Sequence, residues 1–194
     1  MTLRVDLKLI AEWIAPGTHV LDLGCGDGAL LAHLRDSRNC RGYGVDIDDA
    51  HVLECIRGSV NVIQADLESG LRMFSDGMFD VVVLSQTLQA MHNTEGILRE
   101  MARVGKQGIV SFPNFGHWKH LLSLTGGHMP VTRQMPYQWY DTPNIHLCTP
   151  KDFEILAAKL GFAITGRALL ADGRPVAWAP NLRATLAVYR FEGR

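Results

Sequence analysis

Short apolar runs alternate with segments of helical periodicity along the first half of the chain. The run FDVVVL at 79–84 is apolar on both faces, which is typical of a central strand of a parallel sheet. Between the runs, apolar residues recur at helical spacing. Strand followed by helix at this spacing predicts a doubly wound α/β fold. The predicted strands of this half are 19–23, 42–45, 60–63, 79–84 and 108–112.

The alternation stops after the fifth predicted strand. Residues 113–148 are rich in glycine, proline and aromatic side chains, and they are too many for a plain connector, so they predict an insertion that acts as a lid or a partner surface. The sequence TPKD at 149–152 is typical of a helix start. Two consecutive late strands, 163–170 and 183–191, predict an antiparallel pair. We therefore expect one domain over 1–194 with a seven-stranded, mostly parallel sheet.

Three glycines follow the first predicted strand and open a helix, in the sequence VLDLGCGDGALL. Gly24, Gly26 and Gly28 let the backbone turn sharply and approach a ligand without a Cβ in the way. Asp46 ends the next predicted strand. A carboxylate about 20 residues past such a loop can accept both hydroxyl groups of a ribose. The arrangement predicts a nucleoside-binding site.

Two cofactors fit a glycine loop of this kind. Gly24, Gly26 and Ala29 satisfy the dinucleotide pattern G-x-G-x-x-A, which keeps NAD as an alternative. Asp22, two residues before the first glycine, favours S-adenosylmethionine (SAM) instead, because a carboxylate repels a pyrophosphate and attracts the ammonium group of the methionine end. Asp66, after the third predicted strand, can accept a hydrogen bond from the amino group of adenine.

The charge pattern excludes several other partners. The chain has 19 basic and 20 acidic residues, a formal net charge of −1, and no block of like charge. Neither nucleic acid nor an anionic membrane surface is an expected partner. The start of the chain has charges among its apolar residues, so it predicts neither a signal peptide nor a membrane span. The four cysteines form no C-x-x-C pair, which favours free thiols and a cytoplasmic location.

This combination of loop and acids resembles class I SAM-dependent methyltransferases. The resemblance implies that the glycine loop cradles the methionine end of SAM or S-adenosylhomocysteine. It also implies that the acid after the second strand holds the ribose, that residues after the third strand flank adenine, and that residues after the fourth face the methionine part. The predicted cofactor-binding residues are Asp22, Gly24, Cys25, Gly26, Gly28, Asp46, Ile47, Ala65, Asp66, Leu67, Ser85 and Gln86.

A narrower resemblance covers most of the chain. The stretches LSQTLQ at 84–89, VSFPNFGHW at 110–118, GHMPVT at 127–132 and PYQWYDTPNIHLCT at 136–149 are similar to the methionine biosynthesis protein MetW family. The resemblance implies the methyltransferase fold and a complex with homoserine O-acyltransferase (MetX) that supports acyltransferase activity. It does not imply methyl transfer.

The sequence identifies no catalytic residue. Titratable and aromatic candidates for methyl transfer lie only in the insertion, where packing of a lid or a partner surface explains them as well. His117 and His120 have no carboxylate or cysteine neighbours at ligand spacing, so no metal site is expected. Three hypotheses remain: a SAM-binding protein that supports or regulates MetX, an active methyltransferase on a small molecule, and a pure interaction module.

Overall fold

Eight strands join in one sheet in the computed structural model, which describes residues 3–132 and 135–193. The strand order is β3-β2-β1-β4-β5-β8-β6-β7, in which β1 to β5 are parallel and β6, β7 and β8 are antiparallel to their neighbours. The strands are β1 His19–Leu23, β2 Arg41–Asp46, β3 Val62–Gln64, β4 Phe79–Ser85, β5 Gly105–Pro113, β6 Ala163–Ala171, β7 Arg174–Pro175 and β8 Leu186–Glu192.

Helices cover both faces of this sheet. They are α1 Val5–Trp13, α2 Ala29–Arg38, α3 Asp49–Arg57, α4 Thr94–Val104, α5 Trp118–Thr125, α6 Pro150–Lys159 and α7 Pro180–Arg183. The predicted helix start at 149–152 is confirmed, because Thr149 and Asp152 form a reciprocal capping box. No helix within the described ranges has the length and apolarity needed to span a bilayer.

The core lies in two layers, one on each side of β4. Val82 and Leu84 belong to the layer that contains α4 and α6, whereas Val81 and Val83 belong to the layer that contains α1 and α2. Successive side chains of a strand point to opposite faces, so a strand covered on both sides needs a continuous apolar run, which β4 has at 81–84. The prediction of a doubly wound, mostly parallel sheet with antiparallel C-terminal strands is confirmed.

The prediction of seven strands is wrong by one. The eighth strand, β7, has two residues and pairs with the end of β6 through a turn at Asp172 and Gly173, both of which have positive φ. A strand this short has no alternating pattern to detect. The last strand also begins later than predicted, because Pro180 opens the short helix α7 before it.

The loops after β1, β2, β3 and β4 all reach the same edge of the sheet. The strand order reverses between β1 and β4, since the chain first builds outward to β3 and then returns to the other side of β1. In open α/β sheets the crevice at such a switch point is where ligands bind. The fold therefore brings the glycine loop and the residues after β2, β3 and β4 together.

Candidate functional site

A cleft of about 1200 Å³ opens at this edge of the sheet. Every residue of the predicted cofactor-binding set lines the cleft except Gly28: Asp22, Gly24, Cys25, Gly26, Asp46, Ile47, Ala65, Asp66, Leu67, Ser85 and Gln86. Gly28 has a different task, because a Cβ at this position would lie 2.9 Å from the sulfur of Cys55 and 3.2 Å from Val60. Its missing side chain allows the loop to pack against the layer that contains α3.

The glycine loop is held in its bend by β2. The amides of Gly24 and Cys25 both donate to the carbonyl of Val45, at 2.8 and 3.1 Å. Gly24 and Gly26 have φ values of +68° and +56°, in the left-handed region that side chains disfavour. A Cβ on Gly26 would meet nothing within 4 Å, so this part of the loop leaves open space beside the backbone.

Asp46 lies directly against the glycine loop. One of its carboxylate oxygens, Oδ2, accepts a hydrogen bond from the amide of Gly26 at 2.8 Å, and Oδ1 accepts one from the amide of Asp48 at 3.0 Å. The Nδ1 atom of His51 is 3.3 Å from the same Oδ1. These bonds fix the carboxylate at the cleft wall, where each oxygen keeps lone-pair capacity for further donors.

Asp22, at the end of β1, is a buried acid with only 3% of its surface exposed. Among the described residues, none donates a hydrogen bond to its carboxylate. Burial, together with the nearby carboxylates of Asp46 and Asp6, raises the pKa of Asp22 to about 7 even though Arg4 lowers it. The cleft thus contains an acid that lacks a partner from the chain and that a bound cation would stabilise.

Sequence reasoning missed a polar network on the other side of the cleft. Asp6 of α1 is 1% exposed and accepts hydrogen bonds from Arg4, Ser85, Gln86 and Ser111 at 2.9 to 3.2 Å. Burial opposes ionisation of Asp6, but Arg4 and the hydroxyl and amide donors lower its pKa below the ordinary value. The sequence contains one sign that Asp6 is buried: Asp6 and the apolar Ile10 are four residues apart, so they share a helix face.

The network determines what Ser85 and Gln86 do at the cleft. The Ser85 hydroxyl donates a hydrogen bond to Asp6 and accepts one from the guanidinium of Arg4 at 2.8 Å. The Gln86 side chain also donates to Asp6. Gln86 has a φ of +53°. Its backbone amide donates a hydrogen bond to the carbonyl of Ser111 at 2.8 Å, which holds this conformation. Both residues line the cleft, and their polar atoms connect its wall to α1.

The loops after β2 and β3 add apolar side chains to the lining of the cleft. Ile47 is 64% exposed although it is a large aliphatic residue, and Leu67 faces the same space. Asp66 is exposed, and its side chain accepts a hydrogen bond from the amide of Glu68 at 2.9 Å, which caps a short 3₁₀ turn. An exposed aliphatic side chain beside a hydrogen-bonding carboxylate suits a flat ring with a polar edge.

Cys25 fills space inside the glycine loop. Burial raises the pKa of its thiol, and its sulfur lies 3.8 Å from that of Cys55, whose thiol pKa burial raises as well. A buried thiol of this kind is a poor nucleophile. Cys25 therefore packs the loop against Cys55 and is not a candidate nucleophile.

The aromatic side chains of the insertion lie away from the cleft. Of residues 113–132 and 135–148, Pro143 is the one that lines it. His120 is buried, with its ring nitrogens 3.1 Å from the carbonyl of Phe115 and 3.2 Å from the hydroxyl of Thr132. This histidine therefore packs the insertion and does not reach the cleft.

Together, the strand order and the helices on both faces define the Rossmann-like methyltransferase fold. Solved structures with this fold include a SAM-dependent methyltransferase from Archaeoglobus fulgidus, with a TM-score of 0.71, 17% identity, and coverage of 95% of this chain and 90% of that one. Another is a putative S-adenosylmethionine-dependent methyltransferase from Listeria monocytogenes, with a TM-score of 0.71, 16% identity, and coverage of 98% of both chains. At this identity the likeness shows the fold alone.

A family model described as "Methionine biosynthesis protein MetW" matches residues 4–191, and the chain belongs to this family. A curated relative, the "Bifunctional methionine biosynthesis protein MetXA/MetW" of Rhodopirellula baltica, is 36% identical over 211 aligned residues. The match covers 98% of this chain and 33% of the relative. The chain spans about a third of the length of the curated relatives it matches.

Proposed function

We propose that this chain binds SAM in the cleft and that it supports or regulates homoserine O-acyltransferase (MetX) in methionine biosynthesis. The observation that carries the binding proposal is the unpartnered, buried carboxylate of Asp22 beside the glycine loop. An ammonium group would supply the missing charge there, and Arg4, which lines the same cleft, would bind the carboxylate of the methionine end.

The remaining contacts fit the adenosyl part. The carboxylate of Asp46 would accept the two ribose hydroxyl groups with the lone pairs that Gly26 and Asp48 leave available. Ile47 and Leu67 would contact the faces of adenine, and Asp66 would accept from its amino group. A dinucleotide fits less well, because its pyrophosphate would bring negative charge toward the acid that precedes the loop.

Calorimetry with SAM and S-adenosylhomocysteine tests the binding proposal. Asp46→Asn removes the charge that would hold the ribose, and hydrogen bonds to a charged acceptor contribute about 1.5 to 3 kcal/mol each. We therefore expect at least a tenfold loss of affinity. Asp49→Asn is the matched control, since it removes an exposed carboxylate three residues away that does not line the cleft. Equal affinity of both variants would contradict the proposed ribose contact.

The relation to MetX is supported by the family and by the bifunctional relative, whose name joins MetXA and MetW. SAM is made from methionine, so a SAM-binding protein in complex with the acyltransferase can couple acyltransferase activity to the supply of methionine. Such feedback requires that SAM bind one state of the complex more tightly than another. The test is acyltransferase activity of the mixed proteins during a SAM titration. Constant rate and substrate affinity up to saturation would remove the feedback proposal.

An active methyltransferase on a small molecule is the second candidate. The observation that favours it is the lining of the cleft, which includes Met91, His92 and Pro143 in addition to the residues proposed to hold SAM and so offers contacts to a second molecule. SAM supplies an electrophilic methyl group when bound. Incubation with methyl-labelled SAM and small-molecule extract should then label a product. Labelling no greater than with the Asp46→Asn protein would reject this function.

A further inference from the structure

Helix α5 presents its apolar side chains to the outside. Trp118, Leu121 and Leu122 lie at i, i+3 and i+4, so they form one stripe on the helix, and they are 48%, 43% and 64% exposed. The buried side chain of this helix is instead the polar His120. An amphipathic helix normally turns its apolar stripe toward the core. The inverted arrangement indicates that a partner covers the stripe.

The loop after α5 extends the same character. Tyr137, Trp139 and Tyr140 are 47%, 70% and 70% exposed. We call the exposed side chains of the helix and loop the insertion face: Trp118, Leu121, Leu122, Tyr137, Trp139 and Tyr140. In sequence, the charged residues of 113–148 are Lys119, Arg133 and Asp141. Aromatic enrichment and charge depletion are the composition of the centre of a protein–protein interface.

We propose that the insertion face is the surface on which this chain docks the homoserine O-acyltransferase; the inference rests on the proposed function. The bifunctional relative identifies the occupant, because this chain matches only a third of a polypeptide whose name also includes MetXA. Two domains joined in one polypeptide encounter each other at high effective concentration, so their contact persists. A persistent partner of that kind suits exposed apolar side chains with few charges among them.

The insertion is also connected to the cleft. The amides of Ile145 and His146 donate to the carbonyl of Gln89 at 2.8 and 3.0 Å, and the Gln89 side chain donates to the carbonyl of Gln86 at 2.6 Å. Pro143 of the same segment lines the cleft. Docking on the insertion face and SAM binding therefore act on one hydrogen-bonded segment. If docking shifts that segment, each ligand changes the affinity for the other by the same factor.

Sedimentation and calorimetry with the purified acyltransferase of the source organism test the docking surface. Leu122→Asp places a charge on the apolar stripe of α5, at its most exposed position, and we expect it to weaken the complex about 30-fold or more, the effect of one hot-spot residue. Ile56→Asp is the matched control: Ile56 is 60% exposed on α3, beside the opposite edge strand β3. This control should bind the acyltransferase within about twofold of the parent chain, as expected for a surface position.

Other outcomes separate the surface from the function. Both variants should bind SAM as the parent chain does, which shows that they are folded. If Leu122→Asp binds the acyltransferase normally, the surface is wrong and the proposed partner stands. If the variant only changes a dimer of this chain into a monomer, a second copy is the occupant and the inference is overturned. If the parent chain does not bind the acyltransferase, the partner proposal fails as well, and SAM calorimetry still decides the cofactor.

Discussion

The carboxylate of Asp22 should make the ligand-free protein less stable than a variant without that charge. Burial and neighbouring acids raise the pKa of Asp22 from 3.8 to about 7. A difference of one unit between the native and unfolded pKa values corresponds to about 1.4 kcal/mol in the free energy of unfolding. Above pH 7 the ionised form therefore costs about 4 kcal/mol, and Asp22→Asn, which keeps the shape of the side chain, should recover about 2 to 4 kcal/mol.

The sign of the effect fixes its pH range. The unfolded chain loses the Asp22 proton near pH 4, whereas the native protein keeps it until about pH 7, so the native state binds more protons in between. This contribution lowers the free energy of unfolding as pH rises from about 4 to about 7 and is constant above that. The gain from Asp22→Asn should vanish near pH 4 and reach its maximum at pH 8.

Urea unfolding from pH 4.5 to 8, followed by the fluorescence of the four tryptophans, measures this difference. Asp49→Asn, which removes an exposed carboxylate, should show no such gain. Saturating SAM should reverse the order of stability at pH 8, because the ammonium group pairs with Asp22 in the parent chain only. A parent protein as stable as Asp22→Asn at every pH, without ligand, would refute the idea of an unpaired buried charge.

Two further results are expected. In urea titrations, Gly24→Ala should lower the free energy of unfolding by about 2 kcal/mol or more, because the new Cβ would lie 2.6 Å from the Thr87 hydroxyl and the backbone is left-handed. Gly26→Ala has the same backbone strain but open space around the new Cβ, so it should lose only about 1 kcal/mol. In calorimetry, 5′-methylthioadenosine, which lacks the amino-acid end, should bind at least about tenfold more weakly than S-adenosylhomocysteine, since it pairs with neither Asp22 nor Arg4; equal affinities would contradict that assignment.

The parts that sequence reasoning predicted depend on local pattern. The run at 79–84 indicates a central strand because its residues 81–84 are all apolar, as both faces of a strand covered on both sides require. Asp80 lies near the start of the strand, where it pairs with Lys106. The approach of Asp46 to the glycine loop follows from chain order, since β2 pairs in parallel with β1 and both strands end at the same edge of the sheet. Neither inference requires knowledge of distant contacts.

The parts that were missed depend on contacts between distant segments. Asp6 meets Ser85 and Ser111 across 79 and 105 residues of sequence. The helical spacing of Asp6 and Ile10 places Asp6 on the buried side of its helix, but the donors that satisfy its carboxylate come from these distant segments. The orientation of α5 was equally hidden, because helical periodicity shows that an apolar stripe exists and does not show which side of the helix faces the protein. The burial of Asp6 and the orientation of α5 are both decided by tertiary packing and not by local propensity.

The two buried acids of the cleft differ in a way that separates structure from binding. Asp6 accepts hydrogen bonds from Arg4 just before α1 and from side chains at the ends of β4 and β5, and its pKa is lowered, so the fold itself satisfies its charge. Asp22 is as deeply buried, yet the described residues give it no hydrogen bond and its pKa is raised. A chain able to neutralise one acid so fully leaves the other unpaired only at a cost in stability. That cost is recovered when a cation binds, which is why we assign Asp6 to the architecture of the site and Asp22 to its ligand.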